Sequence, residues 1–320
     1  MKHEVSMICG AIDLGGTKIE GRLFDANMET VLTRRIPTPV SSFEDFIEGL
    51  AAQIEWLSET SGSPKLPVGI SLPGWIDPAN GHGFASNIPI TGRDVGAALV
   101  ARFGRSFPLM NDCMAFAYSE VHGGAGEGGD VVIGLIVGTG MGAGLVINGD
   151  IPPRYNGLAL EVGHTGMPAR ILSQQNLPLI PCGCGKTGCM ERYVSGTGLA
   201  DISKIKLGET ISNQELTLRA SNGDAAAEQV LNDWAELMAE SLLTMQLVVD
   251  PDCIVLGGGL SNMDGVAERV SKAFEKQKLG PTRIPAIRTA RFGDSSGARG
   301  VALYALRAHL NQLESDSNTL

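Results

Sequence analysis

No stretch of the chain approaches the roughly 20 consecutive apolar residues that a membrane-spanning helix requires. The longest contender, "LLTMQLVV" at 242–249, follows Glu240 and stops at Asp250. A basic surplus is missing too: 25 lysines and arginines stand against 35 aspartates and glutamates, a net charge of −10. Nucleic-acid-binding faces are built from positive charge, so this balance argues against such a partner. The opening "MKHEVSM" carries an acid and leads straight into a strand-like segment, unlike a secretory signal. Low-complexity tracts are absent, and only the tail "ESDSNTL" reads as frayed. These absences point to a cytoplasmic globular chain, in which thiols stay reduced and disulfides are rare.

Glycine, in contrast, is in excess: 42 of 320 residues, about twice the usual share of about 7%. Such an excess implies tight turns or close approach of backbone to a ligand. "ICGAIDLGGTKIEGRLFD" (8–25) reads as strand, glycine corner, strand. "VVIGLIVGTGMGAGLVING" (131–149) repeats that opening about 120 residues later. "FEDFIEGLAAQIEWLSE" (43–59) has helical spacing behind Ser41 and Ser42, "LPVGISLP" (66–73) reads as a buried strand, and "GAALVARFG" (96–104) as a helix. "PLMND" (108–112) reads as a strand ending in a polar corner, with Asn-Asp also open to a plain turn reading. A long helix over 224–249 runs into the strand "CIVLGGG" (253–259). Strands and helices alternate after each hairpin, which predicts two α/β domains of related topology, a boundary near residue 115 and a cleft between them.

Three motifs invite a ligand reading, and two fail on context. Gly138-Thr139-Gly140 with Ala143 resembles a dinucleotide fingerprint, but "GLVING" after it reads as strand where that motif opens a helix. Gly185-Lys186-Thr187 resembles a Walker loop, but Ile180 stands where its first glycine belongs. The surviving reading is a pair of hairpin corners, Gly15-Gly16-Thr17 and Gly138-Thr139-Gly140, whose amides and hydroxyls face a polyphosphate. Asp13 at the first corner suits a Mg²⁺ ion held through water, and Gly257-Gly258-Gly259 forms a third glycine turn. Cys9, Cys113 and Cys253 are scattered, whereas Cys182, Cys184 and Cys189 form C-x-C-x4-C. A reduced cluster of this kind suits a metal, and three thiolates need a fourth ligand to make a tetrahedral zinc site. His164 is the nearest histidine, with His122 and His82 farther back.

The segments "AIDLGGTKIE", "MNDCMAFAYSE", "VGTGMGAGLVING", "EVGH", "CGCGKTGCMERYVSG" and "IVLGGGLSN" resemble, in order and spacing, the motif series of the ROK family of sugar kinases. The resemblance runs from residue 8 to about 305. It implies an α/β fold of two actin-like (ribonuclease H-like) domains with an interdomain cleft. The small N-terminal domain would span 1–115, completed by a C-terminal helix at 298–320, and the large domain 116–297 with the zinc loop. It further implies ATP- and Mg²⁺-dependent phosphorylation of the 6-hydroxyl of a hexose or N-acetylhexosamine, with domain closure excluding water. Bacterial N-acetylglucosamine kinases are the most similar branch; fructokinases, mannokinases and glucokinases follow. Asp112 matches the catalytic base, and Gly74, Asn87, Asn111, Glu161, His164 and Glu191 match sugar-contacting positions. Asp13, Gly15, Gly16, Thr17, Lys18, Gly138, Thr139, Gly140 and Gly257 to Gly259 match the ATP-binding positions. His164, Cys182, Cys184 and Cys189 match a structural Zn²⁺ set, and a homodimer is typical. Cys113-Met114 stand where the family usually has alanine-asparagine, and Leu160 where it has glycine; both departures lie near the family's pocket. ROK repressors, a binding rather than catalytic class, carry an added N-terminal helix-turn-helix, for which the residues before 8 leave no room.

Overall fold

Alternating apolar residues on either side of a glycine corner make the first hairpin of the computed structural model, which describes residues 6–293 and 296–317. The chain divides into two compact units: Met1–Ser119 with Ile151–Ala159 and Asp294–Leu320, and Glu120–Asp150 with Leu160–Gly293.

In the first unit, β1 (Cys9–Leu14), β2 (Lys18–Phe24) and β3 (Thr30–Pro37) form an antiparallel meander. The strands β4 (Val68–Leu72) and, after the two-residue strands β5 (Trp75–Ile76) and β6 (Gly83–Phe84), β7 (Leu109–Asn111) extend it in parallel, in the order β3-β2-β1-β4-β7. Helix α1 (Phe43–Ser61) starts where Ser42 accepts the Asp45 N–H and stops at Gly62 in the left-handed region. Its buried Phe46, Leu50, Ile54 and Leu57 pack with Ile12, Ile19, Leu23, Val68 and Ile70 of the sheet. Each such side chain contributes about 1.5–3 kcal/mol on burial. Asp94 caps α2 (Val95–Phe103), and α3 (Asp112–Val121) begins directly at the end of β7. The C-terminal helix (Ser296–Ser317) meets the alternate residues of β4: an ideal Cβ on Gly69 would lie 2.2 Å from the Val301 carbonyl oxygen.

In the second unit, β8 (Val131–Val137) and β9 (Met141–Ile147) form the second hairpin. Following the helices α4 (Ala169–Gln174), α5 (Glu191–Val194), α6 (Gly196–Leu207) and α7 (Asn213–Ser221) comes α8 (Ala225–Val249). Asp224 caps α8 by accepting the Ala226 and Ala227 N–H groups. β10 (Cys253–Gly257), α9 (Val266–Gln277) and β11 (Ala286–Thr289) complete the sheet in the order β11-β10-β8-β9. The core is centred on Trp234, Leu237, Met238 and Leu242 of α8 with Ile133, Leu135 and Ile254 of the sheet.

Three details differ from the reading of the sequence. The segment 151–159 falls with the first unit, where Gly157 packs so closely on the Ile76 carbonyl that an ideal Cβ would lie 2.0 Å away. Asp112 opens α3, where the sequence reads as a polar corner with a plain turn left open. The tail is helical through Ser317, with Ser315 and Ser317 hydroxyls donating back to the Gln312 and Glu314 carbonyls, while 318–320 lie outside the described residues. Among the described residues, no helix is long and apolar enough to cross a membrane.

Candidate active site

In the first unit the corner between β1 and β2 is tightly tied. The Gly15 N–H closes on the Lys18 carbonyl at 2.9 Å, and Thr38 donates through its hydroxyl to the Gly15 carbonyl at 2.7 Å. Gly16 sits under Asn87, whose amide nitrogen would be 3.0 Å from an added Cβ, so the two positions constrain one another. Beside them Asp13 is half-buried, and desolvation raises its carboxyl above its usual value against the opposing Ser71 hydroxyl, which donates to it at 2.5 Å. A desolvated carboxylate with this bias toward the neutral form gains from a nearby divalent cation. Lys18 is exposed and 3.8 Å from Glu20.

At the end of β7, Asn111 holds three elements together. Its Nδ2 donates to the Gly74 carbonyl at 2.8 Å, and its Oδ1 accepts the Cys113 and Met114 N–H groups at 2.9 and 3.3 Å. Asn111 thus caps α3, and Asp112 is presented at the carboxyl end of a parallel strand, where ligands of open α/β sheets bind. The Asp112 Oδ1 accepts the Cys113 N–H at 2.8 Å. Gly74 (φ +90°) is obligatory, since a Cβ would lie 2.0 Å from the Phe84 carbonyl oxygen. Cys113 and Met114 are 9% and 4% exposed, and Leu160 packs on the core of the second unit. Cys113 and Met114 therefore face inward, and Leu160 is half-buried.

The second unit contains a cavity of about 1060 Å³, bounded at one end by Gly138, Thr139, Gly196 and Thr197. Gly196 N–H donates to the Gly138 carbonyl at 2.7 Å, and the Thr197 hydroxyl to that of Thr139 at 2.9 Å. Strand β9 follows this corner directly, which excludes a dinucleotide fingerprint. Gly258 (φ +79°) admits no side chain, because a Cβ would meet the Val137 backbone at 2.7 Å, and Gly259 opens onto the cavity. Leu260 and Met263 line one wall; Thr217 and Leu218 of α7 also line the cavity. Sequence reasoning missed α7 and Gly196-Thr197 as part of this cavity; the "SGTG" at 195–198 was the only local signal.

The cysteine segment folds as a knuckle on the same unit. Gly185-Lys186-Thr187 is its turn, with the Cys182 N–H donating to the Lys186 carbonyl at 2.8 Å, so no phosphate loop exists there. Ligand atoms of His164, Cys182, Cys184 and Cys189 all lie within 4.8 Å of one another. Cys184 and Cys189 sulfurs are 3.6 Å apart, and Cys182 Sγ is 3.8 Å from His164 Nδ1. A tetrahedron with zinc–sulfur bonds of about 2.3 Å has edges of about 3.8 Å, so the donor set fits zinc. Burial pushes the Cys182 thiol up to about 12, whereas the Lys186 backbone N–H lowers that of Cys184. The knuckle touches the candidate sugar carboxylates. Cys182 donates to Glu191 Oε1 at 2.9 Å, and Glu191 Oε2 would be 3.1 Å from a Cβ on Gly140. Glu161 precedes a 3₁₀ turn at Val162–His164, and Gly163 there is pressed on the Met141 carbonyl. Arg170 of α4 makes a bidentate pair with the buried Glu240 of α8, which ties α4 to α8.

The ROK family profile matches residues 9–308. The chain belongs to the ROK family. It is 36% identical over 91% of its length to N-acetylgalactosamine kinase AgaK of Shewanella sp. (strain ANA-3), covering 94% of that protein. It is equally 36% identical, over 91% of its length, to the N-acetyl-D-glucosamine kinase of Pasteurella multocida (strain Pm70), covering 96% of it. Among solved structures, a ROK family glucokinase from Streptomyces griseus in complex with glucose and AMPPNP superposes with a TM-score of 0.72. It is 26% identical, and the match covers 93% of this chain and 99% of that one. The actin-like α/β fold expected from the motifs is thus the fold of this chain.

Proposed function

We propose that the chain is an ATP-dependent sugar kinase that phosphorylates the 6-hydroxyl of a 2-acetamido hexose, with N-acetyl-D-glucosamine the first choice. The observation that carries this reading is Asp112, a carboxylate set at the carboxyl end of β7 by the Asn111 cap in a member of a sugar-kinase family. Asp112 accepts the proton of the sugar hydroxyl as its oxygen attacks the γ-phosphorus. An O–P bond forms to the sugar, the γ-phosphorus separates from the bridging oxygen, and ADP leaves. The corners at 15–17 and 138–140 would contact the nucleotide's phosphates, and its base would enter the cavity that Gly259, Leu260 and Leu218 help to line. Asp13 would hold Mg²⁺ through water, and the ion would supply charge neutralisation at the phosphates. Glu161, Glu191 and Asn87 accept or donate hydrogen bonds at the sugar edge, where unmatched partners would leave polar groups unpaired.

Zinc belongs to the same reading as a structural ion held by His164, Cys182, Cys184 and Cys189. These four protein ligands would close the shell, so the ion would supply rigidity for Glu191 rather than an activated water. Homodimers complete the reading, and sedimentation gives their mass.

Asp112→Asn tests the centre. ADP release with N-acetyl-D-glucosamine should fall at least about a thousandfold, as expected when a general base that also orients the nucleophile is lost, while sugar and ATP still bind. Near-normal turnover removes the base assignment. Gently purified protein should hold about one zinc per chain; metal-free protein of full activity refutes the zinc site.

A further inference from the structure

Trp75 and Phe84 face each other across the short β5–β6 ladder and stack with centroids 4.3 Å apart and planes 25° from parallel. An aromatic pair in a soluble protein is ordinarily covered, yet Phe84 is 46% exposed and Trp75 is half-buried. The pair is also held in place with unusual care. Gly74, next to Trp75, packs against the Phe84 carbonyl with no room for a Cβ. The Gly74 carbonyl is fixed by Asn111, the neighbour of Asp112. Ile76, on the other side of Trp75, is clamped by Gly157. Asp112 and the stacked rings are therefore linked through one side-chain hydrogen bond and two chain neighbours, all within the first unit.

We infer that the Trp75–Phe84 stack is a specificity plate that receives the acetamido methyl of the sugar. This rests on the proposed function and deepens it. A hexose presents hydroxyls on its edges, and Asn87 and the carboxylates can satisfy those. A 2-acetamido sugar adds one methyl that no polar residue can match, and burying it needs an apolar surface. A rigid, pre-stacked aromatic pair provides that surface at little conformational cost, since its rings are already ordered. Trp75 and Phe84 are thereby specificity-determining residues, with no part in proton transfer.

The test compares N-acetyl-D-glucosamine with glucose on full-length protein, using Trp75→Ala, Phe84→Leu and Trp75→Phe. Loss of methyl burial and of an aromatic contact should raise KM for the acetamido sugar about tenfold in Trp75→Ala. KM for glucose and for ATP should stay within about twofold, with kcat preserved, a split that general loosening of the fold would not give. Trp75→Phe keeps a ring and should stay within about threefold of wild type. Fluorescence supplies a readout without turnover. The emission change on adding N-acetyl-D-glucosamine should vanish in Trp75→Phe, because Trp234 is buried in the second unit and Trp56, on α1, packs against the first unit's core. If Trp75→Ala does not fold, Phe84→Leu and the Trp75→Phe titration carry the comparison. Provided the wild type phosphorylates the sugar, an unchanged KM for N-acetyl-D-glucosamine in Trp75→Ala overturns the plate alone, as does an equal rise for both sugars. A wild type that phosphorylates neither sugar overturns the kinase reading instead.

Discussion

Gly300 lies in the C-terminal helix, where helix propensity and packing make opposite predictions. Replacing a helical glycine by alanine ordinarily stabilises by about 1 kcal/mol, because alanine loses less backbone entropy on folding. At Gly300, however, an ideal Cβ would lie 1.8 Å from the Ala115 carbonyl oxygen and 2.7 Å from its carbon. Real contacts of this kind stay above 3.0 Å, so α3 and the C-terminal helix must separate by more than an ångström. The obstacle is backbone on both sides and has no flexible end to swing away. Separation also disturbs Val301 and Ala302, both 0% exposed, and the close contact of Val301 with Gly69. Overpacking of this severity costs about 3 kcal/mol, at the upper end of the usual range. Packing outweighs propensity, and Gly300→Ala should be net destabilising by about 2 kcal/mol.

Thermal and urea unfolding decide the sign. A loss of about 2 kcal/mol lowers Tm by about 4–8 °C in a domain of this size. Ala115 is three residues beyond Asp112 on α3, so kcat should fall with it. Gly96→Ala in α2 is the matched control, since an added Cβ there meets nothing closer than 3.4 Å. It should raise stability by about 0.4–1 kcal/mol. A Gly300→Ala protein at least as stable as wild type, with normal turnover, would falsify the packing argument and leave propensity as the winner.

The remaining expectations concern the site. Asp13→Asn should raise the unfolding midpoint near pH 7 while cutting Mg²⁺-dependent turnover about a hundredfold. Its carboxyl is raised above the usual 3.8 by burial, so folded protein holds that proton more tightly than unfolded protein. Its effect is to make stability fall as pH rises through the window above 3.8, and the two proteins should converge below it; equal midpoints at pH 7 contradict this. Trp234→Phe removes the indole donor to the Val194 carbonyl, 3.0 Å away, and leaves a void under α5. It should cost about 2–4 kcal/mol and raise sugar KM, because α5 carries Glu191; an unchanged melting curve speaks against it. Cys189→Ser should release zinc and make the segment 165–190 sensitive to limited proteolysis. Protease resistance equal to wild type would show that Arg170–Glu240 alone holds the knuckle.

Local physics wrote the legible parts. Both glycine-cornered hairpins and α8 could be read because short apolar runs broken by glycine, the period-3.6 pattern and the Asp224 cap act over a few residues. Gly138–Ala143 could be dismissed as a dinucleotide fingerprint from the strand pattern after it, and β9 is that strand. What escaped depends on contacts distant in sequence. The Arg170–Glu240 pair spans 70 residues, and the segment 151–159 packs on Ile76, about 80 residues earlier, through Gly157. Cys113, Met114 and Leu160 occupy motif positions, but their burial was set by helix phase and by the Leu160 N–H pairing with Ala143 at 2.8 Å.

Asn111 shows why a motif match locates a residue without saying how its bonding capacity is spent. A primary amide has two donor hydrogens and two acceptor lone pairs. The Cys113 and Met114 N–H groups take both lone pairs of Oδ1, and the Gly74 carbonyl takes one hydrogen of Nδ2. A single N–H is left, so Asn111 can offer a sugar one donated bond and accept none. An aspartate there would lose the Gly74 bond, and an alanine would lose the cap of α3 as well. Both changes should displace Asp112 and lower kcat more than they raise sugar KM. The residue expected to recognise the sugar is therefore, by its hydrogen-bond count, first the residue that aims the base.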